Sequence, residues 1–298
     1  MRFIKILAHP KATRASKDKV NQVKKRFEES NIKYSLEIGS DEKTTRQIAQ
    51  KLSKDDCDTV VCLGGDGTLH GILNGIYGKE LKLGIIPLGH GNDVARSLKI
   101  PKDIDRAVNI IKNGKSEKFY LGEIEKIGTN IKEYYFSVVG MGFDVRVIEI
   151  VEKQKLKDKY SSWAYNIGTI KALFSYKSPL IKAKYDGEQL DIKVMMFSIG
   201  NSTTYGGGMK ITPKADPQKD FFNITYLRQM SIPKFLWHFP KVFSGKHIKI
   251  IKYVSNFNAK EIEIDYSPRG KIIADGELLD LLPAKITKAE YKQEIIVP

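Results

Sequence analysis

The sequence is short of cysteine, of acidic side chains and of long apolar runs, and each shortage excludes something. Its only cysteines are Cys57 and Cys62, too few and too close together for a disulfide framework or for zinc-ligand spacing. A reducing cytosol is therefore expected. No apolar stretch approaches the ~20 residues that span a bilayer. The opening run Met1–Ala8 is too short and too charged for a signal peptide, and His9-Pro10 ends it. Lysine and arginine number 50 against 35 aspartate and glutamate residues, a net charge of +15. Such a surface favours polyanions: nucleotide phosphates, nucleic acid or an anionic membrane face. No nucleic-acid-binding module accompanies the charge, so nucleic acid is not an expected partner. The expectation is a cytoplasmic protein that touches the inner membrane surface peripherally and does not cross it.

What is present is a chain of 298 residues, long enough for two domains. Its first third alternates strand and helix patterns. Phe3–Ala8, Tyr34–Ile38, Thr59–Leu63 and Leu83–Ile86 are apolar and strand-like. Between and after them, 16–29, 42–52, 69–77, 92–98 and 104–111 carry apolar residues at helical spacing, with Ser16 placed to cap the first. This rhythm predicts a Rossmann-like α/β domain with a mostly parallel sheet over residues 1–119, completed by about 286–298. Beyond residue 119 the runs 134–139, 181–185, 192–199, 222–227, 248–254, 261–265 and 271–274 are strand-like, and a helical insert occupies 147–176. A second, mainly antiparallel β-sandwich-like domain over 120–285 is expected. The sequence has no internal repeat and no low-complexity linker.

Gly64-Gly65-Asp66-Gly67-Thr68 follows the strand 59–63 and opens a helix. Glycines there let the backbone turn and present N–H groups to a phosphate, and the helix N-terminus adds partial positive charge. Asp66 supplies a carboxylate for Mg²⁺ or a hydroxyl. A second loop of the same design, Pro87-Leu88-Gly89-His90-Gly91-Asn92-Asp93, follows the next strand. In a parallel sheet both loops fall on the ligand-binding edge. Asp-Gly-Glu occurs twice, at 186–188 and 275–277, and Asp-Gly between strand-like runs is a hairpin turn signal. Lys153–Lys159 with Trp163 and Tyr165, and Phe235–Lys241, mix aromatics with cations in a way that suits a lipid interface.

The ordered set of 64–68, 87–96, 140–144, 206–209 with 213–215, and 275–277 resembles the diacylglycerol kinase catalytic superfamily, which includes soluble bacterial lipid kinases and the sphingosine and ceramide kinases. The resemblance implies an ATP site in a cleft between the two domains and transfer of the γ-phosphoryl to a lipid hydroxyl, with diacylglycerol the first choice. It implies Mg²⁺ and ATP as cofactor and co-substrate, Asp275 as the base, and Asp66 as a second catalytic carboxylate. Nucleotide contacts are implied at His9, Pro10, Gly64, Gly65, Asp66, Gly67, Thr68, Gly89, His90, Asn92, Asp93 and Glu277. Asp66 and Asp93 are implied for the catalytic metal, and Asp216 and Asp220 for a structural one. The chain departs from the family pattern at His9, His70-Gly71, His90 and Gln218-Lys219. An NAD kinase-like enzyme and a nucleotide-binding paralogue with little catalysis are the alternatives. A homodimer stays open.

Overall fold

Strands buried on both faces read as unbroken apolar runs, because helices cover the sheet on each side. In the computed structural model, which describes residues 3–9, 17–154, 164–176, 178–266 and 270–298, β1 (Ile4–Ala8), β2 (Tyr34–Ile38), β3 (Thr59–Gly64) and β4 (Lys82–Pro87) pair in parallel. Every residue of β3 is buried. Helices α1 (Lys17–Glu29), α2 (Glu42–Lys51), α3 (Asp66–Ile76), α4 (Asp93–Ser97) and α5 (Ile104–Asn113) accompany them. Asp41 caps α2 by accepting from Thr44 N–H (2.7 Å), and Asp103 caps α5 from Arg106 N–H (2.9 Å).

Two strands complete this sheet from outside the βα rhythm. They are β5 (Lys115–Phe119), whose Lys-Ser-Glu-Lys composition hides it, and the C-terminal β17 (Gln293–Val297). β17 lies parallel to β4 and antiparallel to β5, giving the order β2-β1-β3-β4-β17-β5.

The second sheet is antiparallel, as expected. It comprises β6 (Gly122–Lys126), β7 (Lys132–Tyr135), β8 (Val138–Gly142), β9 (Leu180–Tyr185), β10 (Glu188–Gly200), β11 (Phe222–Arg228), β12 (Val254–Ala259), β13 (Ile262–Tyr266), β14 (Ile272–Ala274), β15 (Glu277–Leu279) and β16 (Ala284–Lys288). The order is β15-β14-β8-β10-β9-β13-β16-β6-β7, with β11 and β12 branching from β10. β10 shifts register at Val194/Met196, so its first half pairs with β9 and its second with β8 and β11.

The strands β6, β15 and β16 are not among the expected ones, and three expected segments come out differently. The run 134–139 is two strands, broken at Phe136-Ser137. The helical insert is α6 (Phe143–Lys153) and α7 (Ala164–Ser175). The strand-like run 248–254 is not a strand: Gly245, at φ 72°, turns the chain into a 3-10 turn at Lys246–Lys249, and β12 begins only at Val254. Pro10, Ser16, Lys155–Lys159 and Trp163 lie outside the described residues, as does the side chain of Tyr165.

Candidate active site

Gly64 pairs with Pro87 across β3 and β4, so both glycine loops leave the same sheet edge. They touch backbone to backbone. A Cβ on Gly89 would lie 2.5 Å from Gly65 Cα, and one on Gly65 would lie 3.1 Å from Gly89 Cα; only glycine permits that approach. Asn92, in the left-handed region at φ 51°, shapes the second loop by accepting from Gly89 N–H (3.0 Å) and donating to Gly89 O (2.6 Å). Asp66 Oδ1 accepts from Asp93 N–H (2.8 Å), which joins the two loops through a carboxylate.

Asp93 in turn reaches the second sheet's side of the cleft. Its Oδ2 accepts from Gly207 N–H (2.8 Å) and its Oδ1 from Gly208 N–H (2.7 Å), both glycines having positive φ. Asp93 therefore clasps the Gly206-Gly207-Gly208 turn to α4.

Asp275 sits on the tight turn between β14 and β15, at φ 50° with Gly276 at φ 92°, and is buried. Phe136 N–H donates to its Oδ2 (2.7 Å) and Ser137 N–H to its Oδ1 (2.6 Å). The break between β7 and β8 is what releases those two N–H groups from the ladder. His70 Nδ1 lies 3.5 Å from Asp275 Oδ2, and His70 Nε2 lies 3.0 Å from Glu133 Oε1. Arg46 Nη1 donates to both Glu133 oxygens (2.7 and 2.9 Å). Burial opposes a charge on His70, but the hydrogen bonds to Asp275 and Glu133 outweigh it and raise the imidazole to about 9. Glu133 is itself held below the usual carboxylate range: its own burial works the other way, but His70 and Arg46 prevail.

Three carboxylates, Asp66, Asp93 and Asp275, thus lie close enough to repel one another. Burial, then Asp93 and Asp275, push Asp66 up to about 7. Burial also raises Asp93, against the N–H groups of Gly207 and Gly208 and the charge of Arg96, and Asp275 adds to it. Such crowding suits a cation. Among the described residues no group of three or more His, Cys, Asp or Glu is placed to hold a metal by itself. Asp216 and Asp220 have protein partners in this structure. Asp216 Oδ1 accepts from Gln218 N–H (2.9 Å), Asp220 pairs with Lys260 (2.8 Å), and the half-buried Lys288 ammonium feels both carboxylates.

The remaining expected residues lie around this edge. His9 follows β1, and Thr68 is buried in α3 behind Gly64. His90 is exposed, its carbonyl accepting from Lys102 (3.3 Å). Glu277 approaches from the second sheet, its Oε1 beside Gly67 at the start of α3, and Glu42 of α2 lies near the same glycine. Arg46 and Glu133 belong to no motif of the sequence, and His70 stands out in it only as a departure from the family pattern. One signal was available: Asp66, His70 and Asn74 recur at i, i+4 and i+8 along an otherwise apolar helix, one polar stripe. Asn74 uses it to bond both Tyr134 N–H (2.8 Å) and Tyr134 O (2.8 Å).

Two family models match this chain: the diacylglycerol kinase catalytic domain over residues 4–124, and the YegS C-terminal NAD kinase beta sandwich-like domain over residues 137–296. A diacylglycerol kinase of Mycobacterium tuberculosis (strain H37Rv) is 29% identical over 263 residues, 88% of this chain and 84% of that one. One from Bacillus subtilis (strain 168) is 24% identical over 304 residues, covering 100% and 97%. The crystal structure of a diacylglycerol kinase from Bacillus anthracis str. Sterne superposes with a TM-score of 0.75 at 20% identity, over 99% of this chain and 96% of that one.

Proposed function

The chain belongs to the family that joins a diacylglycerol kinase catalytic domain to a YegS-type C-terminal domain, and from that premise we propose that it transfers the γ-phosphoryl of Mg-ATP to a lipid hydroxyl, converting diacylglycerol to phosphatidic acid. The observation that carries this reading is the convergence of Asp66, Asp93 and Asp275 on the edge where two glycine loops open. The N–H groups of Gly64–Thr68 and the start of α3 bind the nucleotide phosphates, with His9, Pro10, Gly89, His90, Asn92 and Glu277 around them. Mg²⁺ supplies charge neutralisation on those phosphates. Asp66 holds the phosphate end, while Asp93 keeps the two sides of the cleft in register.

Asp275 faces the acceptor. Its two backbone N–H bonds and His70 fix the carboxylate in one orientation. The lipid hydroxyl oxygen bonds to the γ-phosphorus, the bond to the β-phosphate oxygen breaks, ADP leaves, and the hydroxyl proton passes to Asp275. The strand memberships support a division near residue 120, with the C-terminal strand returning to the first unit. No helix among the described residues is long and apolar enough to cross a membrane. The reading places the enzyme in the cytoplasm, at the anionic inner membrane surface where its acceptor lies. The test is γ-labelled ATP offered with diacylglycerol, a monoacylglycerol, a sphingoid base and an isoprenoid alcohol in mixed micelles, with NAD as a control acceptor. Label in phosphatidic acid is expected; label in NADP, or in no lipid, overturns the reading.

A further inference from the structure

Between Asp220 and Glu261 the chain has no acidic residue but carries six lysines and an arginine. Lys234, Lys241, Lys246, Lys249 and Lys252 are all exposed. The same stretch holds α8 (Ile232–His238) and the 3-10 turns that follow it. It also exposes large apolar side chains: Trp237 is 78% exposed, Ile251 83%, Leu236 55% and Phe243 50%. Beside it α7 exposes Ile170 and Phe174 (57% and 78%), four residues apart and so on one helical face. Its opposite face buries Ala172 and Leu173.

These groups belong to one surface. Ala172 and Leu173 of α7 and Phe235 of α8 share a buried cluster. An aromatic seam runs on from Phe143 through Phe235 (5.8 Å) and Phe239 (5.5 Å) to Phe243 (5.9 Å). A helix apolar on both faces needs a second apolar phase. Interleaved exposed lysines and a tryptophan select the kind: the rings suit the headgroup boundary, lysine stems lie along it, and the ammonium groups meet anionic lipid. The surface is also coupled to the cleft. Phe239 and Val242 pack with Tyr205, Met209 and Ile273, and Lys210 N–H donates to Val242 O (3.0 Å). Ile273 stands two residues before Asp275, and Tyr205 and Met209 flank the turn that Asp93 clasps.

We propose that α7, α8 and the segment to Ile251 form the face on which this protein docks to an anionic lipid bilayer. The inference rests on the lipid-acceptor reading and names the surface through which the acceptor is reached. The test uses the full chain, sedimented with vesicles of phosphatidylcholine alone or mixed with phosphatidylglycerol. Wild type binds the mixed vesicles and releases them as salt rises. Trp237→Ser with Phe174→Ser, and Lys249→Glu with Lys252→Glu, each lose binding by more than about tenfold, since each lysine near an anionic surface is worth about fivefold. Their thermal melts, and their phosphorylation of a short-chain, monomerically dispersed diacylglycerol, stay as in wild type. Vesicle binding unchanged in both double variants overturns the surface, whatever the kinase activity. So does a dimer in sedimentation velocity that Trp237→Ser dissolves while vesicle binding persists, because the face is then a contact between two copies. Wild type that binds vesicles through this face but phosphorylates no lipid leaves the surface standing and removes the kinase reading.

Discussion

Asp186 and Asp275 stand in the same tripeptide, Asp-Gly-Glu, on the same left-handed hairpin turn, and each carboxylate accepts from two consecutive backbone N–H groups. For Asp186 these are Lys260 and Glu261 N–H at the exposed surface (3.0 Å each). For Asp275 they are Phe136 and Ser137 N–H in the interior, with His70 behind. Asp275→Asn removes basicity and keeps shape, so kcat should fall by ~10²–10⁴-fold with ATP affinity nearly unchanged. Asp186→Asn should behave as wild type. Steady-state kinetics on the two variants decide it, and normal turnover by Asp275→Asn would exclude the base. His70 makes a second prediction. Its folded pKa, about 9, is raised above the unfolded value of ~6.5, so its contribution to stability is fully present below about 6.5 and is lost as pH rises through about 9. The thermal midpoint of wild type should therefore drop across that window, and kcat with it. His70→Asn should flatten both profiles; an unchanged alkaline limb would show that His70 carries no charge there.

The loops and α3 show what each element contributes. Short turns after β3 and β4 bring Asp66 and Asp93 within one hydrogen bond of each other, and the polar stripe of α3 faces the second sheet. Asp93 then holds the Gly206-Gly207-Gly208 turn through two charge-assisted bonds. Asp93→Ala leaves both N–H groups without that partner and should cost about 2–4 kcal/mol. Asp93→Asn, which keeps one acceptor oxygen, should cost roughly half as much, on the same scale for charged hydrogen bonds. Urea midpoints measure both, and a loss under about 0.5 kcal/mol for the alanine variant would mean the clasp is open in solution. The elements that escaped the sequence reading did so for local reasons. Phe136 and Ser137 continue a run of strand formers, and nothing in their identity marks the break; Asp275, far along the chain, makes use of it. The segment 248–254 is rich in strand formers, yet Gly245 diverts it and leaves Ile251 facing out.

At the scale of the whole molecule, the last strand closes the first sheet across nearly the full chain length. Ile295, Ile296 and Val297 are buried, and Gln293 Nε2 donates to Leu81 O (2.7 Å). Burying three such side chains is worth ~1.5–3 kcal/mol each, a large share of a total stability of about 5–15 kcal/mol. A chain ending at Lys292 should therefore lose cooperative unfolding and expose β4 as an edge, seen as a broadened circular-dichroism melt and aggregation on size exclusion; a sharp, unshifted melt would refute this. The alternation of apolar strands and amphipathic helices, the two glycine loops and both Asp-Gly turns were legible without coordinates, because each depends on backbone conformations that a few neighbouring residues dictate. Which turn lies buried against His70, where β17 inserts, and how Asp93 finds Gly207 and Gly208 were decided only by the tertiary structure. Those contacts join residues that are remote in sequence, and burial there, rather than local conformational preference, selects the partner.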